Sequence, residues 1–198
     1  MERLGLIDIQ SLVPSLLWDV RYATAKNFTG KILYNTPFGL YAVESLAKAV
    51  TNMSEWMKMH LPGYKIVIFD AARPVSVQKE MFEIVRNTSF ESYIANPYGE
   101  TPGGFHNYGL AIDLTLADNN GNLLDMGTDY DFFGEASHSG KERELLEEGI
   151  ISREAYSNRS LLYSIAGRAG LLPHPQEWWH FQLNYDEDSK KKYRLLDF

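Results

Sequence analysis

Gly104-Phe105-His106-Asn107-Tyr108-Gly109-Leu110-Ala111-Ile112-Asp113-Leu114-Thr115-Leu116 passes from a loop into a strand. From Leu110 to Leu116 the residues alternate, which places Ala111, Asp113 and Thr115 on one face and Ile112, Leu114 and Leu116 on the other. Gly109 permits a sharp turn between a loop histidine, His106, and a strand carboxylate, Asp113, so that both side chains can meet one ion. A carboxylate centred in such a run either lies on the solvated face of an edge strand or is held by a partner, because burying it unpaired costs several kcal/mol. Upstream, Tyr64 to Phe69 reads as a short buried strand, β-branched and aromatic, that runs into Asp70-Ala71-Ala72-Arg73-Pro74 and presents Arg73 at its end. Before it, Val43, Leu46, Ala47, Val50, Met53 and Met57 recur at helical spacing and predict a helix from about Gly39 to His60, stopped by Leu61-Pro62-Gly63. A second helix is expected after Pro74 to about Asn87. Downstream, Asn119-Asn120-Gly121-Asn122 predicts a hairpin returning through Leu123 to Met126. A third helix is expected from about Ser152 to Ala169 with Gly170 as its stop, then an aromatic strand from Trp178 to Leu183. This order of elements predicts an α+β fold rather than a regularly alternating parallel sheet.

The 198 residues show no internal repeat and no Pro- or Ser/Gly-rich linker, which predicts a single domain over residues 1–198. A formal net charge of −7 argues against a protein that binds duplexes by neutralising phosphates. No apolar run approaches the roughly 20 residues of a membrane-spanning helix. Met1-Glu2-Arg3-Leu4-Gly5 lacks the charged-then-apolar layout of an export signal. The expected location is therefore cytoplasmic if Met1 is the native start, and periplasmic or exported if a leader has been removed. The chain has no cysteine, which excludes disulfides, thiolate nucleophiles and Cys-based metal sites, so any metal must be held by His, Asp or Glu.

Glu177-Trp178-Trp179-His180 supplies a second histidine with a carboxylate three residues before it. His106, Asp113 and His180 make a three-ligand set, which for zinc leaves a fourth position open to water, and Glu177 beside that water would be the general base. On an ideal strand, residues three apart point to opposite faces. Glu177 must then precede the strand proper in a loop or bulge, or the segment must be a helical turn; the upstream Pro173-His174-Pro175-Gln176 favours the loop. Each residue also has an ordinary structural role open to it. His180 can be a hydrogen-bonded core group, and Arg73 can form an ion pair with Asp70 or another acid.

Gly104 to Asp113 and Glu177 to His180 resemble the two metal motifs of the zinc D-alanyl-D-alanine dipeptidases, the group that includes the vancomycin-resistance dipeptidases. Trp18 to Thr24, Asn27 to Gly30, Asp70 to Pro74, Asp113 to Leu116, Met126 to Thr128 and Tyr130-Asp131 are similar to family segments in the same order. The resemblance implies a central, mostly antiparallel sheet flanked by helices, of the hedgehog/D,D-peptidase type. It also implies one zinc ion on His106, Asp113 and His180, Glu177 as catalytic base and Arg73 as transition-state stabiliser. Asp131 matches the carboxylate that receives the substrate ammonium, and Tyr22 a tyrosine lining the pocket. The implied reaction is hydrolysis of the D-Ala-D-Ala dipeptide. The rival readings are a zinc D,D-carboxypeptidase of longer cell-wall peptides and a non-catalytic zinc module that binds cell-wall fragments or a partner. The chain departs from the family pattern at Gly104, where a serine is expected two residues before the first metal histidine, and at Phe105, which is bulkier than the pattern.

Overall fold

Tyr64–Asp70 and Ala111–Asp118 are the two strands on which the molecule is built, and they pair antiparallel with Ile66 opposite Leu116 and Ile68 opposite Leu114. Tyr64–Asp70 is β-branched and apolar through its middle, and Ala111 to Ala117 is buried on both faces, as a strand at the centre of a covered sheet must be. The computed structural model describes residues 1–34 and 38–198. In chain order the elements are β1 (Leu6–Asp8), α1 (Ile9–Leu12), β2 (Leu17–Trp18), β3 (Tyr41–Val43), α2 (Glu44–His60), β4 (Tyr64–Asp70), α3 (Val75–Val85), β5 (Ala111–Asp118), α4 (Glu142–Glu147), α5 (Arg153–Arg168), β6 (Leu172–His174), β7 (Glu177–Gln182) and α6 (Glu187–Lys190). Five strands form one sheet in the order β2-β4-β5-β7-β6, antiparallel at every pairing except β2 with β4. The fold is thus α+β with a mostly antiparallel central sheet flanked by helices, as expected.

The helices follow the apolar spacing of the sequence. Leu46, Ala47, Val50, Met53 and Met57 form the buried stripe of α2. Helix α5 starts where the Ser152 hydroxyl accepts the Ala155 N–H at 2.9 Å. It stops at Gly170, whose φ of +80° lets the Leu171 N–H reach the Ala166 carbonyl at 3.0 Å. Among the described residues no helix is long and apolar enough to cross a membrane.

Two local expectations are corrected. The first helix begins at Glu44, because Tyr41 to Val43 is extended and pairs with Leu6 to Asp8 in a separate two-stranded ribbon. The return through Leu123 to Met126 is not a strand. The Asp118 carboxylate gathers the N–H groups of Asn120 and Asn122 into a tight turn, and the chain leaves after the single bridge Ala117 to Leu123.

A candidate metal centre at the end of the sheet

Asp113 lies two residues into β5, between β4 and β7, so it is not on an edge strand; its exposure is 2% and partners must hold it. His180 stands directly opposite it on β7. His106 comes from the short helical turn Phe105–Tyr108, and Gly109 follows with φ +70°. A Cβ on Gly109 would sit 2.8 Å from Leu6 Cδ2, so the turn that carries His106 to Asp113 requires glycine twice over.

The three side chains converge. His106 Nε2 is 3.2 Å from Asp113 Oδ1 and 3.1 Å from His180 Nδ1, and His180 Nδ1 is 3.4 Å from Asp113 Oδ1. Ligands held at about 2.0–2.1 Å by a tetrahedral ion stand about 3.3 Å from one another, so the donors have the spacing such an ion needs. Their surroundings set the protons accordingly. His106 Nδ1 donates its hydrogen to the Ala71 carbonyl at 2.7 Å, which turns the Nε2 lone pair to the cluster. Burial pushes His180 down, toward the neutral form that binds metal. Burial opposes ionisation of Asp113, but His106 and then His180 more than offset it and hold the carboxyl well below its ordinary range.

Glu177 and His180 do lie on the same side, and the reason is a bulge. Pairing of β6 with β7 passes from Pro173 opposite Phe181 directly to His174 opposite Glu177, so Trp178, Trp179 and His180 are accommodated without partners on β6. Glu177 Oε2 thereby comes to 3.5 Å from His180 Nδ1. Burial, then Asp113 and Asp131, push the Glu177 carboxyl well above its ordinary range, with Arg73 opposing.

Arg73 is 6% exposed and held on three sides. Its Nε and Nη2 donate to Asp70 Oδ2 at 2.8 and 2.6 Å, and Nη1 donates to Gln78 Oε1 at 3.1 Å. The ion pair with Asp70 is therefore real. The same guanidinium also turns to the site, with Nη2 3.6 Å from Asp113 Oδ2 and its carbon 4.6 Å from the centre of the Tyr22 ring. One N–H remains on each terminal nitrogen.

A cavity of about 250 Å³ opens over the cluster, and Tyr22, Arg73, Gly104, Asp131, His174, Glu177 and Lys190 are among its walls. Drug-sized sites run roughly from 300 to 1,000 Å³, so this one suits a smaller ligand. Asp131 sits at φ +61°, a conformation aspartate tolerates, and is pinned there. Tyr22 Oη donates to its Oδ1 at 2.9 Å and the Phe28 N–H to its Oδ2 at 3.1 Å. Burial raises its carboxyl to about 7, against the pull of those two donors. The backbone of Gly104 is unremarkable, but a Cβ there would lie 3.3 Å from that of Ala95, so a larger residue would crowd that wall.

Three residues of the site were not among the predicted site residues. Tyr130 donates to Asp113 Oδ2 at 2.7 Å, holding the oxygen that the histidines leave free. Asn107 accepts the Gly104 N–H at 2.8 Å and donates to the Arg73 carbonyl at 2.9 Å, tying the His106 turn to the Arg73 loop. The third is Lys190. Tyr130 lies beside Asp131 and Asn107 beside His106, inside segments that carry the family resemblance; Lys190 has no marker in spacing or composition.

Two histidines and a carboxylate around one point, with a second carboxylate alongside and a small cavity above, form a donor set that suits a metal-dependent hydrolase. Comparison with known proteins places it more closely. The family described as D-ala-D-ala dipeptidase, among the M15 peptidases, matches residues 2–195, and the chain belongs to it. That is a metallopeptidase family. The chain is similar to the D-alanyl-D-alanine dipeptidase of Escherichia coli (strain K12), with 33% identity over 181 residues, covering 90% of this chain and 84% of that one. It is 32% identical over 209 residues to the D-alanyl-D-alanine dipeptidase of Enterococcus faecium, covering 96% of each. The solved structure of the LdcB LD-carboxypeptidase shares the fold at a TM-score of 0.50 and 16% identity, over 95% of this chain and 71% of that one.

Proposed function

We propose that residues 1–198 act as one domain that hydrolyses the free D-Ala-D-Ala dipeptide with a zinc ion on His106, Asp113 and His180. The observation that carries this reading is the 3.1–3.4 Å spacing of the three ligand atoms with the Glu177 carboxylate at their side. A bound zinc ion supplies Lewis acidity, polarising the scissile carbonyl and lowering the pKa of water toward about 7. Glu177 takes the proton of the attacking water at Oε2 and delivers it to the leaving amine, a role that its buried surroundings suit by raising its basicity. Arg73, oriented by Asp70 and Gln78, offers its remaining N–H groups to the developing oxyanion. Asp131, held by Tyr22 and Phe28, receives the substrate ammonium. A carboxylate dedicated to a free amine favours a dipeptide over the longer chains that a D,D-carboxypeptidase trims.

The test is hydrolysis of D-Ala-D-Ala, L-Ala-L-Ala, N-acetyl-D-Ala-D-Ala and a cell-wall pentapeptide by metal-stripped protein with and without added zinc. Cleavage of the free D,D-dipeptide alone, and only with zinc, is expected. Preference for the pentapeptide would establish the carboxypeptidase, and zinc binding without cleavage of any of the four would establish a binding module.

The Asp131 role has its own pH signature. The carboxyl must be ionised to pair with an ammonium, and in the empty site it gives up its proton near pH 7. KM for the dipeptide is therefore expected to fall as pH rises from 6 to 8, and Asp131→Asn to raise KM and flatten the profile while affecting an N-blocked analogue far less. Equal losses for both substrates would remove the assignment. Stability has the opposite trend. With the pKa raised from about 4 unfolded to about 7 folded, the folded protein binds the extra proton between those values. Its contribution is full below about pH 4 and is lost as pH rises through 7. Metal-free Asp131→Asn is expected to gain in Tm relative to the parent between pH 5 and 8.

A further inference from the structure

Lys190 is a buried cation in a stretch where its neighbours are solvated. It lies in Asp186-Glu187-Asp188-Ser189-Lys190-Lys191-Lys192, yet its exposure is 4%, while the side chain of Lys191 is 66% exposed. Helix α6 turns it inward, and it is one of the residues that line the cavity above the candidate metal cluster. Burying a lysine head is costly unless something is gained. Nζ donates to the Gly103 carbonyl at 2.9 Å and to Glu187 Oε2 at 2.8 Å, and it stands 4.9 Å from the centre of the Phe105 ring. Two of its three N–H groups are thus accounted for. Glu187, with a side chain 67% exposed, is a partner that water weakens.

Arg73 and Lys190 both stand among the described walls of the cavity. Arg73 is bonded to Asp70 and stands over the metal cluster, where a scissile carbonyl belongs. Asp131 is tied to Tyr22 and Phe28, whereas Lys190 is tied to the Gly103 carbonyl, on the turn that precedes His106. Gly104, which follows Gly103 in the chain, brings no side chain to the cavity wall, where a Cβ would meet that of Ala95 at 3.3 Å. A free dipeptide carries one positive and one negative end, and a small ligand must use both to offset the entropy of binding.

We infer that the Lys190 ammonium binds the terminal carboxylate of the substrate, opposite in charge to the ammonium subsite at Asp131. The inference rests on the reading of the chain as a hydrolase of free dipeptides. The third N–H makes the charge-assisted hydrogen bond, Phe105 and Tyr108 shield it from water, and Glu187 competes with the carboxylate for the same ammonium.

The experiment compares D-Ala-D-Ala with D-alanyl-D-alaninamide, which lacks the negative end, on zinc-restored wild type, Lys190→Gln and Glu187→Gln. Wild type is expected to favour the acid. In Lys190→Gln, KM for the acid rises about ten- to a hundredfold with kcat little changed, the worth of one hydrogen bond to a charge, and KM for the amide stays put. In Glu187→Gln, removal of the competitor lowers KM for the acid several-fold and leaves the amide unchanged, a gain that a merely structural lysine cannot produce. Equal loss on both substrates in Lys190→Gln, with Glu187→Gln neutral, would show that Lys190 only clamps Gly103 and would overturn the inference alone. Wild type that cleaves neither compound would overturn the dipeptidase reading and this inference with it.

Discussion

Glu177→Gln is expected to retain one equivalent of zinc and to lose about 10² to 10⁴ in kcat, the usual range for removing a general base. The side chain keeps its volume, and the three ligand atoms are all on other residues, so metal content should match the parent. The carboxylate now stands 3.5 Å from His180 Nδ1, and its charge in a buried place is costly. The neutral amide removes that cost, so Tm should hold or rise while turnover collapses. Near-normal kcat in a zinc-loaded Glu177→Gln would end the assignment; loss of zinc would instead make Glu177 a ligand.

Arg73→Lys is expected to cost about 10² to 10³ in kcat with a much smaller change in KM, because an oxyanion donor acts only once negative charge has developed. Lysine keeps the charge but not the fork that bonds Asp70 with two nitrogens and Gln78 with a third. Arg73→Ala answers a different question. It leaves Asp70, wholly buried, with the Tyr34 hydroxyl as its remaining close donor, and breaking a buried pair costs about 3–5 kcal/mol. That variant should report on folding through a lowered Tm. Unchanged kcat in Arg73→Lys would reduce Arg73 to its ion pair.

Much of this arrangement was legible in the chain before any coordinates. Alternation in Leu110 to Leu116 and the apolar run Tyr64 to Phe69 gave the two central strands, because a strand buried on one or both faces must write its environment into consecutive residues. The spacing of His106, Asp113 and His180 suggested one ion, and the parity conflict between Glu177 and His180 required an irregularity, which the bulge in β7 supplies. The β1/β3 ribbon was not legible, since strands of three residues are decided by their partners rather than by a pattern of their own. Lys190 was not legible either: nothing separates it from Lys191 and Lys192 except the angle at which α6 docks. Tyr130 and Asn107 act by tertiary hydrogen bonds that leave no periodic trace.

Tyr22 joins two of these groups with one rigid body. Its ring lies against the Arg73 guanidinium and its hydroxyl ends on Asp131, so the separation between these two groups is set by the length of a phenol rather than by mobile loops. On the proposed roles, that phenol is a gauge: it fixes how far a positively charged chain end can lie from the carbonyl under attack. Peptides extended at the amino end fail such a gauge whatever their composition. Tyr22→Phe keeps the ring and so should keep the length limit while weakening the hold on the ammonium, whereas Tyr22→Ala removes the gauge and should admit longer peptides.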